Sequence, residues 1–192
     1  MMTRNTSYFS PSELKQIGFH SVGQNVLLSR HVSVYSAKTI RLGDHVRIDD
    51  FCILSGYIEI GCHVHVGAYS ALFGSQLIRI EDFAGFSSRV TVYTASDDYL
   101  GKGMTNPTIP DRYRRLTSAP VHIGQHVIVG ASSVILPGVT IGTGAAIGAM
   151  SLVSRSIPPW KVASGIPAKP RIERRRDIIE SFQKKLNEEA RP

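Results

Sequence analysis

From Ile123 to Val153 an aliphatic residue recurs at every sixth position: Ile123-Gly124, Val129-Gly130, Ile135-Leu136, Ile141-Gly142, Ile147-Gly148, Val153-Ser154. A fixed short period constrains a fold more tightly than local propensity, because every repeat must make the same structural unit. Neither the helical period of about 3.6 nor the strand period of about 2 repeats in sixes. A triangular parallel β-helix does. Each hexad supplies one short strand and one bend, and its aliphatic side chain points into the prism.

The period runs back almost to the N-terminus. Coil openings with an aliphatic residue at the first and fifth places, and Gly second in all but the one at Ile80, begin at Val22, Leu42, Ile60, Ile80, Ile123 and Ile141, spaced by 20, 18, 20, 43 and 18 residues. Three hexads make one coil, so two steps carry a small excess and the fourth conceals an insertion, residues 94–120. The spacing predicts an all-β solenoid over residues 22–162. The first and fifth hexad positions (Val22 and Val26, Leu42 and Val46, Ile60 and Val64, Ile80 and Ala84) form its inward rows. Asn25, His45, His63 and His126 share the fourth position, so each is read first as a bend residue; His20, His31, His65 and His122 lie outside it.

Covers are expected at both ends, since an open coil shows unpaired strand edges. Residues 1–21 form the first. Ser10-Pro11-Ser12-Glu13 is a helix start with a capping box, Leu14 and Ile17 give that helix an apolar side, and Gly18 ends it. Residues 163–192 form the second: prolines break the register, and Ile172, Ile178, Ile179, Phe182 and Leu186 are spaced for one face of a closing helix. The insertion carries Tyr93, Ser96, Asp97, Asp98 and Tyr99 at its start and Arg112-Tyr113-Arg114-Arg115 near its end. Aromatics, paired acids and a basic cluster predict an ordered loop that leaves the prism and covers a neighbouring copy.

The formal net charge of +7 suggests a polyanionic partner. The basic residues lack interleaved stacking aromatics, which argues against nucleic acid. Cys52 and Cys62 sit inside repeats without metal-ligand spacing, so no metal is expected. No apolar run would span a bilayer and the first residues lack a signal-peptide pattern, so a cytoplasmic location is expected.

The hexads, loop and tail together resemble the hexapeptide-repeat acyltransferases, in particular the maltose and galactoside O-acetyltransferase branch. The resemblance is carried by Val129-Gly130-Ala131-Ser132, Leu136-Pro137-Gly138-Val139-Thr140-Ile141-Gly142, Ile147 to Arg155, Ile157-Pro158-Pro159 and Gly165-Ile166-Pro167-Ala168-Lys169. Around Tyr93–Pro107 the chain is similar to acetyltransferases of surface-polysaccharide synthesis, such as those of lipopolysaccharide and O-antigen. The resemblance implies a left-handed parallel β-helix, a homotrimer with sites between subunits under the extruded loop, and acetyl-coenzyme A as donor. It places pantetheine by Ala131 and Ala149, cofactor contacts at Ser154 and Arg155, adenine between Ile166 and Pro167, and phosphate at Lys169. Tyr93, Ser96 and Tyr99 fall on the acceptor side.

Two departures stand out. Ile128 replaces a tryptophan common in the branch. Tyr93-Thr94-Ala95 is kept, but Asp97, followed by Asp98, holds the place of the family's catalytic histidine. An alcohol needs a base matched to neutral pH before it attacks a thioester, and imidazole suits that task. A neutral amine attacks unaided and needs positioning and a proton acceptor. The acids therefore point to N-acetylation of an amino sugar, nucleotide-linked sugars among them, with Asp97 or Asp98 receiving it. The alternative is sugar O-acetylation with His65 or His63 as base. More distant readings are a β-helix zinc enzyme of the carbonic-anhydrase type, using His122, His126 and His63 or His65, and a non-catalytic scaffold, against which the Gly165–Lys169 tail argues.

Overall fold

A computed structural model describes residues 7–189 of the chain. It is a left-handed parallel β-solenoid with three walls. The first wall stacks Ser21–Val22, Ile40–Leu42, 58–60, 78–80, Val121–Ile123 and Thr140–Ile141. The second stacks Leu27–Leu28, Arg47–Ile48, His65–Val66, Gly85–Phe86, Ile128–Val129, Ala146–Ile147 and Lys161–Ser164. The third stacks Ser33–Tyr35, 53–55, 71–73, Thr91–Tyr93, Val134–Ile135 and Leu152–Val153.

The inward rows follow the hexad phase. Leu42, Val46, Ile60, Val64, Ile80, Ala84, Ile123, Val127, Ile141 and Ala145 are buried, and Val22 of the first coil is half-buried. Burying such a column is the main favourable term in folding, at roughly 1.5–3 kcal/mol for each fully buried aliphatic side chain. Cys52 belongs to the same core: burial first of all pushes its thiol up to about 11, and both cysteines are free.

The corner between the first and second walls explains the fourth-position residues. Asn25, His45, His63, Phe83 and His126 all have left-handed backbone, with φ between 55° and 61°. That conformation costs roughly 1–2 kcal/mol per non-glycine residue, and ring stacking along the corner offsets part of it. The centroids are 4.6 Å apart for His45–His63, 5.1 Å for His63–Phe83 and 5.1 Å for Phe83–His126, with the planes within 9° of parallel. The corner between the second and third walls repeats the stacking with His31, Phe51 and Tyr69, followed by the Arg89 guanidinium over the Tyr69 ring; Phe51, Tyr69 and Arg89 have left-handed backbone.

The third corner, between the third and first walls, absorbs every irregularity of spacing. The excess residues of the first coil form a 3₁₀ turn, Ala37–Thr39. In the second and third coils the chain runs through this corner as continuous strands, Ile53–Ile60 and Ala71–Ile80. Gly56 has φ +88° and lies so near Gly74 that a Cβ on it would stand 2.0 Å from the Gly74 carbonyl oxygen. Only glycine permits that approach. The insertion leaves from the same corner one coil later.

Helix α1, Pro11–Ile17, carries the capping box its sequence predicts: the Ser10 amide donates to Glu13 Oε2 at 2.7 Å, and Ser10 Oγ accepts from the Glu13 amide at 3.4 Å. Leu14 is buried against the first coils. At the other end the tail differs from the sequence reading in one respect. Ile172 is not on the closing helix but in a strand, Lys169–Glu173, that pairs antiparallel with Lys161–Ser164. This strand covers the open edge of the second wall, a need the helical spacing of apolar residues does not reveal. Helix α2, Asp177–Glu189, then packs back over the ring column, where Ile179, Phe182 and Leu186 face Phe83 and His126, and His126 Nε2 lies 2.8 Å from Gln183 Oε1. Arg174 fastens the crossing between strand and helix. Its Nη1 donates to the carbonyls of His126 and Gly144 at 2.8 and 3.0 Å.

Candidate active site

The insertion is an ordered arm on a two-stranded stalk, with Ala95–Ser96 antiparallel to Thr117–Ser118. Its root is Thr94, a fully buried residue. The Thr94 amide donates to the Phe73 carbonyl at 3.1 Å, Thr94 Oγ1 accepts from the Gln76 amide at 2.9 Å, and the Ala119 amide donates to the Thr94 carbonyl at 2.9 Å. The stalk is thereby welded to the third corner. Beside the root, Tyr93 stacks on Phe73 at 5.3 Å, and a cleft of about 220 Å³ opens among Ser55, Gly56, Phe73, Gly74, Ser75 and Ala95.

The two acids of the arm have different surroundings. The Asp98 carboxylate accepts from the amides of Leu100 (3.0 Å), Lys102 and Gly103 (3.1 Å). These bonds, the one from Leu100 foremost, hold its carboxyl below the usual range, and they shape the Tyr99–Gly103 turn. Asp97 lies one residue nearer the stalk. Its Oδ2 accepts from the Asn106 amide at 3.2 Å, and its Oδ1 accepts from Arg114 Nη2 at 3.4 Å. Both bonds are long, and about a third of the Asp97 side chain remains open. Ser96 is half-buried, its hydroxyl turned to the Asp97 carbonyl at 3.3 Å. Tyr99, at the tip, is 91% exposed.

The histidines sit elsewhere within the chain. His63 belongs to the ring column of the first corner. His65 points outward from the second wall, where its Nε2 meets Asp49 Oδ2 at 2.7 Å; burial opposes ionisation of Asp49, but hydrogen bonds from His65 and Arg47 outweigh it and keep that carboxyl below its ordinary value. His122, on the first wall, pairs with Glu81 at 2.7 Å, and His126 with Gln183. Among the described residues no three His, Cys, Asp or Glu side chains gather as a metal site would require.

The residues of the expected donor site fall along the second corner and the tail, except Ser154 and Arg155, which lie at the third corner. Ala131 and Ala149 occupy successive coils, joined by a 2.8 Å bond from the Met150 amide to the Ala131 carbonyl. A Cβ on Gly130 would come within 2.4 Å of the Ala149 amide nitrogen. Glycine and alanine thus leave a ledge of backbone nearly bare of side chains. At its lower end the tail turns back on Leu152, whose amide donates to the Gly165 carbonyl at 3.0 Å and whose carbonyl accepts from the Ala168 amide at 2.8 Å. The turn between contains the cis Ile166–Pro167 bond. Ile166 and Pro167 of this turn and Lys169 after it are exposed; Ser154 and Arg155, also exposed, follow the strand Leu152–Val153 at the third corner, on the arm's side of the wall. Ledge and arm stand on opposite edges of the third wall, a strand of about three residues or roughly 10 Å apart.

Sequence reasoning placed Arg114 only within a basic cluster. The arm has no repeat from which the side chain directions of Arg112, Arg114 and Arg115 follow, so no local pattern distinguishes them. In the structure Arg114 alone of the three turns inward, 13% exposed, between Asp97 and Asp111.

A coil ledge with an arm and a folded-back tail defines a class, and comparison with known proteins agrees with it. Residues 120–155 match the bacterial transferase hexapeptide (six repeats) family. The chain is 42% identical over 177 residues, 91% of its own length and 92% of the relative's, to the dTDP-4-amino-4,6-dideoxy-D-glucose acyltransferase of Escherichia coli. It belongs to the hexapeptide-repeat transferases and is an acyltransferase. Among solved structures it is similar to an N-acyltransferase from Bacillus cereus in complex with dTDP and 3-hydroxybutyryl-CoA, with a TM-score of 0.93 and 45% identity over 97% of this chain and 100% of that one. A serine-to-cysteine mutant of that enzyme is solved with dTDP-4-amino-4,6-dideoxyglucose and coenzyme A. More distant is a maltose O-acetyltransferase from Clostridium difficile, with a TM-score of 0.60 and 25% identity over 91% of this chain and 80% of that one.

Proposed function

We propose that the protein transfers an acyl group from acetyl-coenzyme A, or a close acyl homologue, to the amine of a nucleotide-linked amino sugar, and that a dTDP-4-amino-4,6-dideoxyhexose is the acceptor class. The observation that carries this reading is Asp97: a partly open carboxylate at the root of the arm, where this family's alcohol-acylating branch has an imidazole. The relatives that act on an amine rather than an alcohol support it. Asp97 orients the incoming ammonium by charge and hydrogen bonding. Asp97 first takes one proton from that ammonium and passes it to solvent, and the neutral amine then attacks the thioester carbonyl. As the C–N bond forms and the C–S bond breaks, the nitrogen passes its proton through Asp97 to solvent or to the departing thiolate. Asp98 is engaged with three loop amides and serves to shape the arm. Tyr93, Ser96 and Tyr99 contact the acceptor.

The donor residues fit coenzyme A on physical grounds. The backbone ledge at Ala131 and Ala149 offers the pantetheine chain amides and carbonyls without obstruction by side chains. Ser154 and Arg155 continue the contact, Ile166 and Pro167 flank the adenine, and Lys169 meets phosphate.

We infer a homotrimer. The ledge and the arm lie on opposite edges of the third wall, and Tyr99 and Leu100 of the arm are 91% and 78% exposed, open to a second copy. Copies packed around an axis bring the ledge of one chain to the arm of the next. Residues 22–162 then carry the chemistry, with 1–21 covering the first coil and 163–192 completing the donor end. A cytoplasmic role in making surface polysaccharide is consistent with free thiols and with acyl-coenzyme A as donor. Among the described residues no helix is long and apolar enough to cross a membrane.

The test is thiol release from acetyl- and 3-hydroxybutyryl-coenzyme A with dTDP-linked amino sugars, against the corresponding free and nucleotide-linked alcohols. The Asp97→Asn variant should lose more than about 100-fold in kcat/KM with the amine, and His65→Asn less than about threefold. The O-acylation reading rests on the oriented His65–Asp49 pair. Turnover of the alcohols, lost on replacing His65 and kept on replacing Asp97, would establish it instead.

A further inference from the structure

Arg114 Nε is the one buried side-chain nitrogen or oxygen without a hydrogen-bond partner among the described residues. A buried donor left unpaired is destabilising, and charged groups are rarely left so. Its surroundings suggest why this one is tolerated. Nη2 reaches Asp97 Oδ1 at 3.4 Å, and Nη1 reaches Asp111 Oδ1 at 3.2 Å. In a planar guanidinium, Nε–H and Nη2–H lie on the same edge, the edge that takes a carboxylate side-on through two parallel bonds. Here that edge is half used: Nη2 touches Asp97 and Nε does not. The second Asp97 oxygen is held by the Asn106 amide at a long 3.2 Å. A carboxylate turned to meet Nε as well as Nη2 would use the whole edge.

We propose that Arg114 is the positioning residue for Asp97. Its Nε–Nη2 edge is the seat on which the carboxylate settles when the amino sugar arrives, and this fixes the oxygen that meets the amine. Asp111, 94% exposed, steadies the far side of the guanidinium. The arm supplies both halves of the pair from opposite ends of the insertion, so closing the stalk assembles it. The inference rests on Asp97 being the group that meets the acceptor.

The test is steady-state kinetics of Arg114→Lys and Arg114→Gln, with Asp97→Asn and the Asp97→Asn/Arg114→Gln double variant alongside. Folding is checked by circular dichroism and thermal midpoint. Both Arg114 variants are expected to lower kcat with the amino sugar at least 30-fold while KM for acyl-coenzyme A stays within twofold. Lysine keeps the charge but lacks the edge, so it should not rescue. The double variant should be no more than threefold slower than Asp97→Asn alone, because residues acting through one another are not additive. A kcat within threefold of the parent for either folded Arg114 variant would overturn the assignment. So would a double variant that loses the product of the two single effects, or loss of fold in both single variants, which would make Arg114 structural. Full activity in Asp97→Asn would remove the reading of Asp97 itself; a slow Asp97→Asn beside normal Arg114 variants would remove only the positioning role.

Discussion

The first and third walls of this prism are made from the same turns of chain and bury equivalent aliphatic columns, yet their outer rows have little in common. Outside the first wall, Arg41, Glu59, Arg79 and His122 are in register from coil to coil. Glu59 meets Arg79 at 2.8 Å and Arg41 at 3.7 Å. This is a solvated face. Outside the third wall, Ile53 aligns with Ala71, Ala71 with Thr91, Thr91 with Val134 and Val134 with Leu152. Phe73, Tyr93 and Leu136 flank that row. Inward positions answer to the prism; outward positions answer to whatever the wall faces. A charged row suits water, whereas an apolar row between the ledge and the arm is the face that the proposed trimer would bury.

The largest effect is expected from a lysine in the third-wall row. Val134→Lys should break the proposed trimer into monomers and abolish transfer, whereas Arg79→Gln on the first wall should change neither; light scattering with activity decides. Equal masses for the two variants would mean that the apolar row is not the contact. The next effect is common to both walls. Ile123→Ala and Ile135→Ala empty equivalent fully buried sites, and each should cost about 2–5 kcal/mol in denaturant unfolding of the intact assembly. A large difference between them would show that the two columns are not equivalent. The smallest effect belongs to the charged row: Glu59→Gln should cost no more than about 1 kcal/mol, as exposed ion pairs do.

Acid should act on the appendages before the walls. Hydrogen bonds from the Ser10 amide and hydroxyl, and from Arg30, draw Glu13 from 4.5 down to about 2. A depressed carboxyl stabilises the folded state above its unfolded value and loses that contribution as pH falls through the folded one. Protection of the α1 amides, corrected for intrinsic exchange, should therefore fall between pH 4.5 and about 2. Asp98, also depressed, should loosen the Tyr99–Gly103 turn as pH falls below the ordinary aspartate range. Glu13→Gln and Asp98→Asn should each remove the corresponding response.

Much of this was legible in the sequence because a β-helix is nearly one-dimensional. Each coil meets only its neighbours, so the hexad period gave the walls, the inward rows and the corners, including the fourth-position histidines as bend residues. The capping box of α1 was equally local. Local pattern carries less where the period stops. Ile172 fitted a helical spacing but lies in an edge strand, because the need to cover an open sheet edge is a property of the assembled solenoid. Asp97 and Asp98 were adjacent and equivalent in sequence; only the folded arm gave three amides to one and Arg114 to the other.

What the sequence alone determined, then, is the prism and the family it belongs to, since a six-residue period admits few other solutions and the Gly165–Lys169 tail is specific. Tertiary structure alone decided which acid remains open, that Arg114 of the basic cluster turns inward, and that ledge and arm lie on opposite edges of one wall. Those facts depend on where the chain returns after 25 or more residues outside the repeat. Over such a distance no local periodicity connects the partners; packing and charge within the folded arm do.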